Sequence, residues 1–496
     1  MRDRESEGIN NAPENTNENG TDGYVTPYAL FRRMRTKFWP AWISRDIGFL
    51  LVARGSMSAV RALASIVVPI YLALLGFNAL LLGVLFTATA LVSAAMSAMI
   101  GMLSDRLGRK PFIVIIPLIT AVASVIFAFS TTAGVLFVFA ALGSFGRGSG
   151  AGAGTIGPYQ PAEQAILAEK VPSRHRNSLF GRVAFASSLG ALIGTGPLLE
   201  ISQWLSRPGS LTSYHVDFIV QGAFALLAGL LAIPITEVRR PRSAPRPAST
   251  PAASGRGWRW PITRESWSIL LRLLVTNSIN GLAVGFFGPF ITYWFYRRYG
   301  VGPAQIGILY SFINLAAMVA NLSAAPLAAR LGLVRAILVS RMAQAVLLVP
   351  MVLAPSFWLA GGVYLVRMMV QRLGLPLRQS YVMGVVPAEE RGSVGALSNL
   401  PSQATSSLSP TFAGYLFDHV SISMPFEIGA LFQAVNALLF FLFFRNLRPP
   451  EEIRQPTRER LEEGSLNGQL PEAPRATSPH AASQSDLAQS HETGSD

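Results

Sequence analysis

Cysteine is absent from the 496 residues. That excludes a disulfide framework, a thiolate metal site and a cysteine nucleophile. Lysine occurs only at Lys37, Lys110 and Lys170, and none follows a glycine. The Gly-Lys pair of a phosphate-binding P-loop is therefore missing, and an ATP-driven pump on this chain is not expected. The histidines, His175, His215, His419, His480 and His491, are too scattered to form a local ligand pair. Neither a nucleophile with a base nor a metal cluster emerges from the pattern, so an enzyme is not expected and no cofactor or metal is called for. Charged residues are 14% of the chain, against ~25% in soluble domains.

Apolar residues, by contrast, make up 50% of the chain. That is enough for about twelve bilayer spans of ~20 residues each. A soluble single-core protein and a mainly disordered one are both excluded. The net charge is +14. We assign it to basic loops facing a cytoplasm and an anionic leaflet, with the lipid bilayer and not nucleic acid as the partner.

Apolar stretches lie near 48–75, 79–101, 111–130, 135–169, 178–202, 217–236, 268–296, 304–329, 335–354, 357–386, 393–416 and 425–445. Residues 1–45 read as a disordered and then interfacial cytoplasmic N-terminus, with Arg32, Arg33, Arg35 and Lys37 among Phe, Trp and Met before the first span. Residues 46–237 form a first six-helix bundle, 238–266 a basic Pro-rich cytoplasmic linker, 267–445 a second bundle, and 446–496 a disordered cytoplasmic tail. Every second loop is basic: Arg106, Arg109 and Lys110; Lys170, Arg174 and Arg176; the linker; Arg330 and Arg335; Arg391; then Arg445 and Arg448. The intervening loops hold only Arg207, Arg297 and Arg298. Twelve spans with both termini in the cytoplasm, in the plasma or inner membrane, give this alternation.

The two halves repeat. Gly101-Met-Leu-Ser-Asp105-Arg106-Leu-Gly108 is matched 224 residues later by Ala325-Pro-Leu-Ala-Ala329-Arg330-Leu-Gly332. Pro161, Gln164, Val171, Pro172 and Arg176 recur 215 residues later as Pro376, Gln379, Val386, Pro387 and Arg391. In this second match Glu163 is equivalent to Arg378. The fold expected is an all-α membrane protein, twelve transmembrane helices in two pseudo-symmetric six-helix bundles.

The loop Gly101–Lys110 resembles the signature that the major facilitator superfamily carries between its second and third helices: Gly, any, Leu, small, Asp, Arg, any, Gly, Arg, Lys. The resemblance covers roughly residues 45–445 and implies that superfamily's fold. It also implies that Gly101, Asp105, Arg106, Gly108, Arg109 and Lys110 form a cytoplasmic latch stabilising the outward-open state. A plain topology signal is the alternative. Arg147 resembles the helix-four arginine of proton-coupled members; an arginine packed against carbonyls is as good a reading. Gly190, Gly194, Gly196 and Pro197 resemble the glycine–proline pattern of antiporters, although Thr195 interrupts it, and ordinary small-residue packing is favoured.

Charge within a span costs about 2.5–3.5 kcal/mol at its centre, which makes each such residue a functional candidate. Arg54, Arg182, Arg272 and Arg341 lie near the cytoplasmic ends and are expected to snorkel. Arg61 is deeper, on the face of Arg54 seven residues earlier. Helices one, four, seven and ten line the cavity of the resembled fold, which sets Glu163 opposite Arg378. A static ion pair is expected there, ahead of a gate and a proton-coupling site. Asn277, Asn280, Gln164 and Gln379 are candidates for holding solute, with Tyr293 and Trp294 as aromatic surface, or for helix-to-helix hydrogen bonds. The arginine excess leans toward an anionic or zwitterionic solute. The function expected is alternating-access transport of a small organic solute by a monomer, with proton-coupled efflux first, then uptake or uncoupled facilitation, and more remotely a solute-binding sensor.

Overall fold

A computed structural model describes residues 43–143, 157–172, 175–205, 211–237, 263–331, 333–385 and 391–445. The interfacial segment, Arg147, the linker between 238 and 262 and the tail from 446 lie outside the described residues, as do the side chains of Asp105, Arg106 and Gln379. Sixteen helices are described: α1 (Arg45–Leu74), α2 (Ala79–Leu107), α3 (Lys110–Phe129), α4 (Ala133–Gly143), α5 (Gln160–Glu169), α6 (Arg176–Thr195), α7 (Pro197–Leu205), α8 (Leu211–Ala232), α9 (Arg264–Phe287), α10 (Ile291–Tyr299), α11 (Pro303–Leu331), α12 (Leu333–Val346), α13 (Leu348–Leu353), α14 (Phe357–Val385), α15 (Arg391–His419) and α16 (Met424–Phe444). They fall into the twelve expected stretches, and no strand occurs among the described residues. Among the described residues, eight helical spans are individually long and apolar enough to cross a membrane. Apolar side chains such as Phe129, Leu408 and Leu431 point outward, as surfaces meant for lipid do.

Two stretches expected to be single helices are broken by proline chemistry. Gly196 and Pro197 separate α6 from α7, and Gly288-Pro289-Phe290 separates α9 from α10. Proline has no N–H to close the helical ladder, and Gly196 before Pro197 leaves the α region as pre-proline residues tend to, whereas Gly288 before Pro289 stays within it. The short α10 then crosses against α1, where Thr292 Oγ1 donates to the Ser65 carbonyl at 3.0 Å.

The same pairings recur in both halves. α1 packs on α6 as α9 packs on α15, and α3 packs on α8 as α12 packs on α16. Lipid tails are as apolar as leucine, so association within the bilayer depends on close packing and hydrogen bonds. Gly190 and Gly194, four apart on α6, put their bare Cα atoms against the backbone of Gly55 and Ala59 on α1. Between the halves, α2 packs on α15 and α6 on α11. Small residues mark these crossings as well. Gly83 touches the backbone of Pro410, Gly414 that of Ala79, Thr411 Oγ1 donates to Thr87 Oγ1 at 2.8 Å, and the hydroxyls of Thr195 and Ser311 are 3.1 Å apart.

The buried core divides unevenly. At the end away from the basic loops, one cluster joins both halves, with Tyr71, Phe86 and Phe127 meeting Phe290, Trp294, Phe417 and Phe426. Phe86 meets Phe290 edge-on with centroids 5.6 Å apart, and Phe290 lies 4.9 Å from Phe417. The Asp418 carboxylate, on α15, accepts from the backbone N–H groups of Ala79 at 3.1 Å and Leu80 at 2.8 Å, capping the first turn of α2 in the other half. At the basic end there are two clusters, one holding only residues of the first half, such as Ile47, Met57, Ile166 and Ile235, the other only residues of the second, such as Leu270, Ile337, Tyr381 and Phe444. Among the described residues, the core joins the halves at one end and divides between them at the other.

Adding a side chain at Gly194 forces α6 off α1. Gly194→Val is expected to cost roughly 1–3 kcal/mol and to lower the thermal unfolding midpoint in detergent by several degrees. Gly181→Ala, at a position with open space around it, is expected to leave that midpoint unchanged or slightly higher. Asp418→Ala removes an exposed cap of ~1 kcal/mol, about five-fold in the equilibrium between sealed and open ends. A cysteine placed at the buried Ser65, the sole thiol in the chain, should then react several-fold faster with a membrane-impermeant maleimide applied from the sealed side.

Candidate transport site

The first half gathers its buried charges on one corner. A turn at Gly157, with φ at +119°, leads into α5, and Pro161 stands in the first turn of that helix. Glu163 follows in the same turn and points into the bundle. Its carboxylate accepts a charge-assisted hydrogen bond from Arg54 Nη1 on α1, and Arg54 Nε donates to Ser187 Oγ on α6 at 2.7 Å. Arg54 is 4% exposed and Glu163 2%. Arg61, on the same face of α1, lays its guanidinium against Gly157. Arg54 and Arg61 of α1 therefore reach α5 and the turn that leads into it.

The expected Glu163–Arg378 pair is not present. Arg378 lies on α14 and donates Nη2 to Asn399 Oδ1 of α15 at 2.9 Å. The physical reason is the separation of the two cores at this end: groups that would meet across the gap find partners in their own half. Two arginines expected to snorkel are buried instead. Arg54 has its carboxylate, and Arg341 sits over the Phe440 ring, 4.9 Å from its centroid. Arg272 reaches only to the Phe443 carbonyl, at 3.1 Å. Arg367 is buried over the ring of Phe287 at 4.2 Å.

The amides divide. Asn277 Nδ2 donates to the Ser398 carbonyl at 2.6 Å and so ties α9 to α15. Asn280, one turn on, lines a cavity in the second half together with Arg341, Gln344, Gln371 and Arg378. Gln164 is exposed on α5. Tyr293 and Trp294 are buried in the aromatic seal.

The loop between α2 and α3 is held from within its own half. Gly108 has φ at +94°, a conformation that costs a side-chain-bearing residue. Beyond it, Glu237 accepts from the N–H groups of Arg109 at 2.6 Å and Lys110 at 3.1 Å, placing a carboxylate at the positive end of α3. The Arg109 guanidinium pairs with Glu169 at 2.8 Å. Lys170 Nζ pairs with Asp46 at 2.5 Å and donates to the Thr236 carbonyl at 2.7 Å. Nothing lies within 4 Å of the point where a Gly101 side chain would begin. Asp46, Glu169 and Glu237 are not among the residues expected from the sequence. The available signal was their position at helix ends beside basic residues.

A family model described as Major Facilitator Superfamily matches residues 50–278 and, a second time, residues 273–485. The chain belongs to the Major Facilitator Superfamily. It is a membrane transporter by that membership. The quinolone resistance protein NorA of Staphylococcus aureus is 22% identical over 387 residues, covering 75% of this chain and 90% of that protein. The solved structure of the nucleoside transporter NupG superposes with a TM-score of 0.60 at 14% identity, over 81% of this chain and 100% of NupG. An inward-facing, unoccupied bacterial homologue of the lysosomal transporter Spinster gives a TM-score of 0.61 at 15% identity, over 82% and 98% of the two chains. These likenesses establish the fold.

Removing one partner of a buried ion pair leaves the other charge uncompensated, at a cost of about 3–5 kcal/mol. Arg54→Ala is therefore expected to lower folded yield and the thermal midpoint sharply. The double variant Arg54→Leu/Glu163→Leu, which removes both charges, should recover most of the loss in the same melting assay.

Proposed function

We propose that this transporter moves a small organic solute across the plasma membrane by alternating access, and that it exports solute in exchange for protons. The observation that carries this reading is the asymmetric core. One seal joins the halves at the end away from the basic loops, and two separate cores stand at the basic end. With both termini and the linker in the cytoplasm, this is an inward-open state. A rocking of the halves about the α2–α15 and α6–α11 crossings would transfer the opening to the other side.

Efflux is favoured by the likeness to NorA, a resistance protein by name. Proton coupling is favoured by Glu163, a buried carboxylate that pairs, among the described residues, with Arg54 of the same half. A proton on Glu163 removes the attraction to Arg54 and releases the fourth span from the first. The loop Gly101–Lys110 would act as the latch of the opposite state. Its Arg109 is bound within the first half, to Glu169, while the basic end is open, and Gly101 has room for an approaching helix.

Purified protein in liposomes, assayed with a fluorescent quinolone and a metabolite panel, should accumulate a solute when a pH gradient is imposed and not otherwise. Glu163→Gln should keep solute exchange at equilibrium and lose gradient-driven accumulation by at least ten-fold. Gradient-driven accumulation equal to that of the unaltered chain would overturn the coupling role.

A further inference from the structure

The arginines of the two halves stand in different company. In the first half Arg54, Arg109 and Lys170 each face a carboxylate, from Glu163, Glu169 and Asp46. In the second half α9, α12, α14 and α16 line a cavity, part of it open to solvent, into which Arg341 and Arg378 both project. No Asp or Glu is among its lining residues. Arg341 is 6% exposed, and its Nη1 is buried with no hydrogen-bond acceptor. Its guanidinium plane lies on Phe440, which leaves the edge of the fork for a ligand. Among the described residues, Arg378 bonds the neutral amide of Asn399.

Two guanidiniums sharing one weakly hydrated space repel each other, and an isolated charge in such a place is costly. A bound anion reverses both effects. The planar fork of arginine matches an oxyanion bidentately, in a way a point charge does not. The neighbouring groups suit the same occupant. Asn280 and Gln371 offer amide donors, while Val284 and Ile337 supply an apolar wall. Gln344 is already bonded to Ser340, its Nε2 donating to the backbone oxygen at 3.1 Å and Ser340 Oγ in turn donating to Val370 O at 2.9 Å, so that part of the lining is rigid.

We infer that this cavity binds the carboxylate of an organic anion, with Arg341 and Arg378 as its two charged contacts and the apolar wall receiving the body of the molecule. The inference rests on the transporter reading above and names the chemistry of the solute. The occupant differs from a free inorganic ion in needing both the charge and the apolar wall.

The test is equilibrium binding to the full chain in detergent, read as a thermal shift at constant ionic strength. The probes are sodium benzoate, neutral benzamide, sodium phosphate and sodium chloride. Benzoate at about ten times its half-saturating concentration should raise the midpoint by at least ~2 °C, and benzamide and chloride should not. Arg341→Gln should reduce that shift to the level of benzamide. Arg378→Gln, at a half-buried position where the fold is less at risk, should weaken half-saturation at least ten-fold. An equal shift with benzamide, a shift unchanged in both variants, or a shift with phosphate alone would overturn the assignment. Flux in liposomes with no benzoate binding sinks the anion site and leaves the transporter reading standing. Binding without flux of any anion does the reverse.

Discussion

Two crossings hold this molecule together, and their closeness decides what the halves can do. α2 meets α15 and α6 meets α11 through glycine, threonine and serine, so that backbone touches backbone. A bilayer offers no solvent to drive helices together, and contacts of this kind supply the attraction that water would supply elsewhere. They also leave little to interlock. Large side chains meshed along the whole interface would fix one angle between the halves, whereas smooth small-residue crossings permit tilt. The bulky residues are collected at one end, where Phe86, Phe290 and Phe417 meet and Asp418 caps α2.

Charge follows a different rule in each half. The first half pairs Arg54, Arg109 and Lys170 with its own acids. Those pairs stitch α1 to α5 and the ends of α3, α5 and α8 to one another. The second half leaves Arg341 and Arg367 on aromatic rings without a carboxylate. The duplicated unit has thus diverged into a half whose charges bind the fold and a half whose charges face open space. The Glu163/Arg378 equivalence is the visible trace of that divergence.

The periodic features of the fold were legible in the sequence. Twelve apolar stretches, alternating basic loops and two offset matches between halves led to the architecture, because span length and loop charge are local properties. The helix breaks at Gly196 and at Gly288–Phe290 were written in Gly-Pro pairs, yet long apolar runs masked them. The site was less legible. Glu163 was identified as a buried charge from its type and place, but its partner depends on rotation about helices 109 residues apart in sequence. Symmetry pointed to Arg378, and in the conformation observed the halves are separated at that end. Glu237 escaped notice for the same reason: a carboxylate capping a helix 127 residues earlier leaves no local pattern.

Each half brings its own aromatic stack to the seal. Phe290, Tyr293, Trp294, Phe417 and Phe426 of the second half pack on one another, and Tyr71, Phe127, Tyr214 and Phe218 of the first half do the same, with Phe86 reaching across to Phe290. When this end parts, neither stack has reason to disperse, since most of its contacts are internal to one half. The opening would then be a vestibule between two stiff, greasy walls, and a solute with a flat apolar face would linger on either.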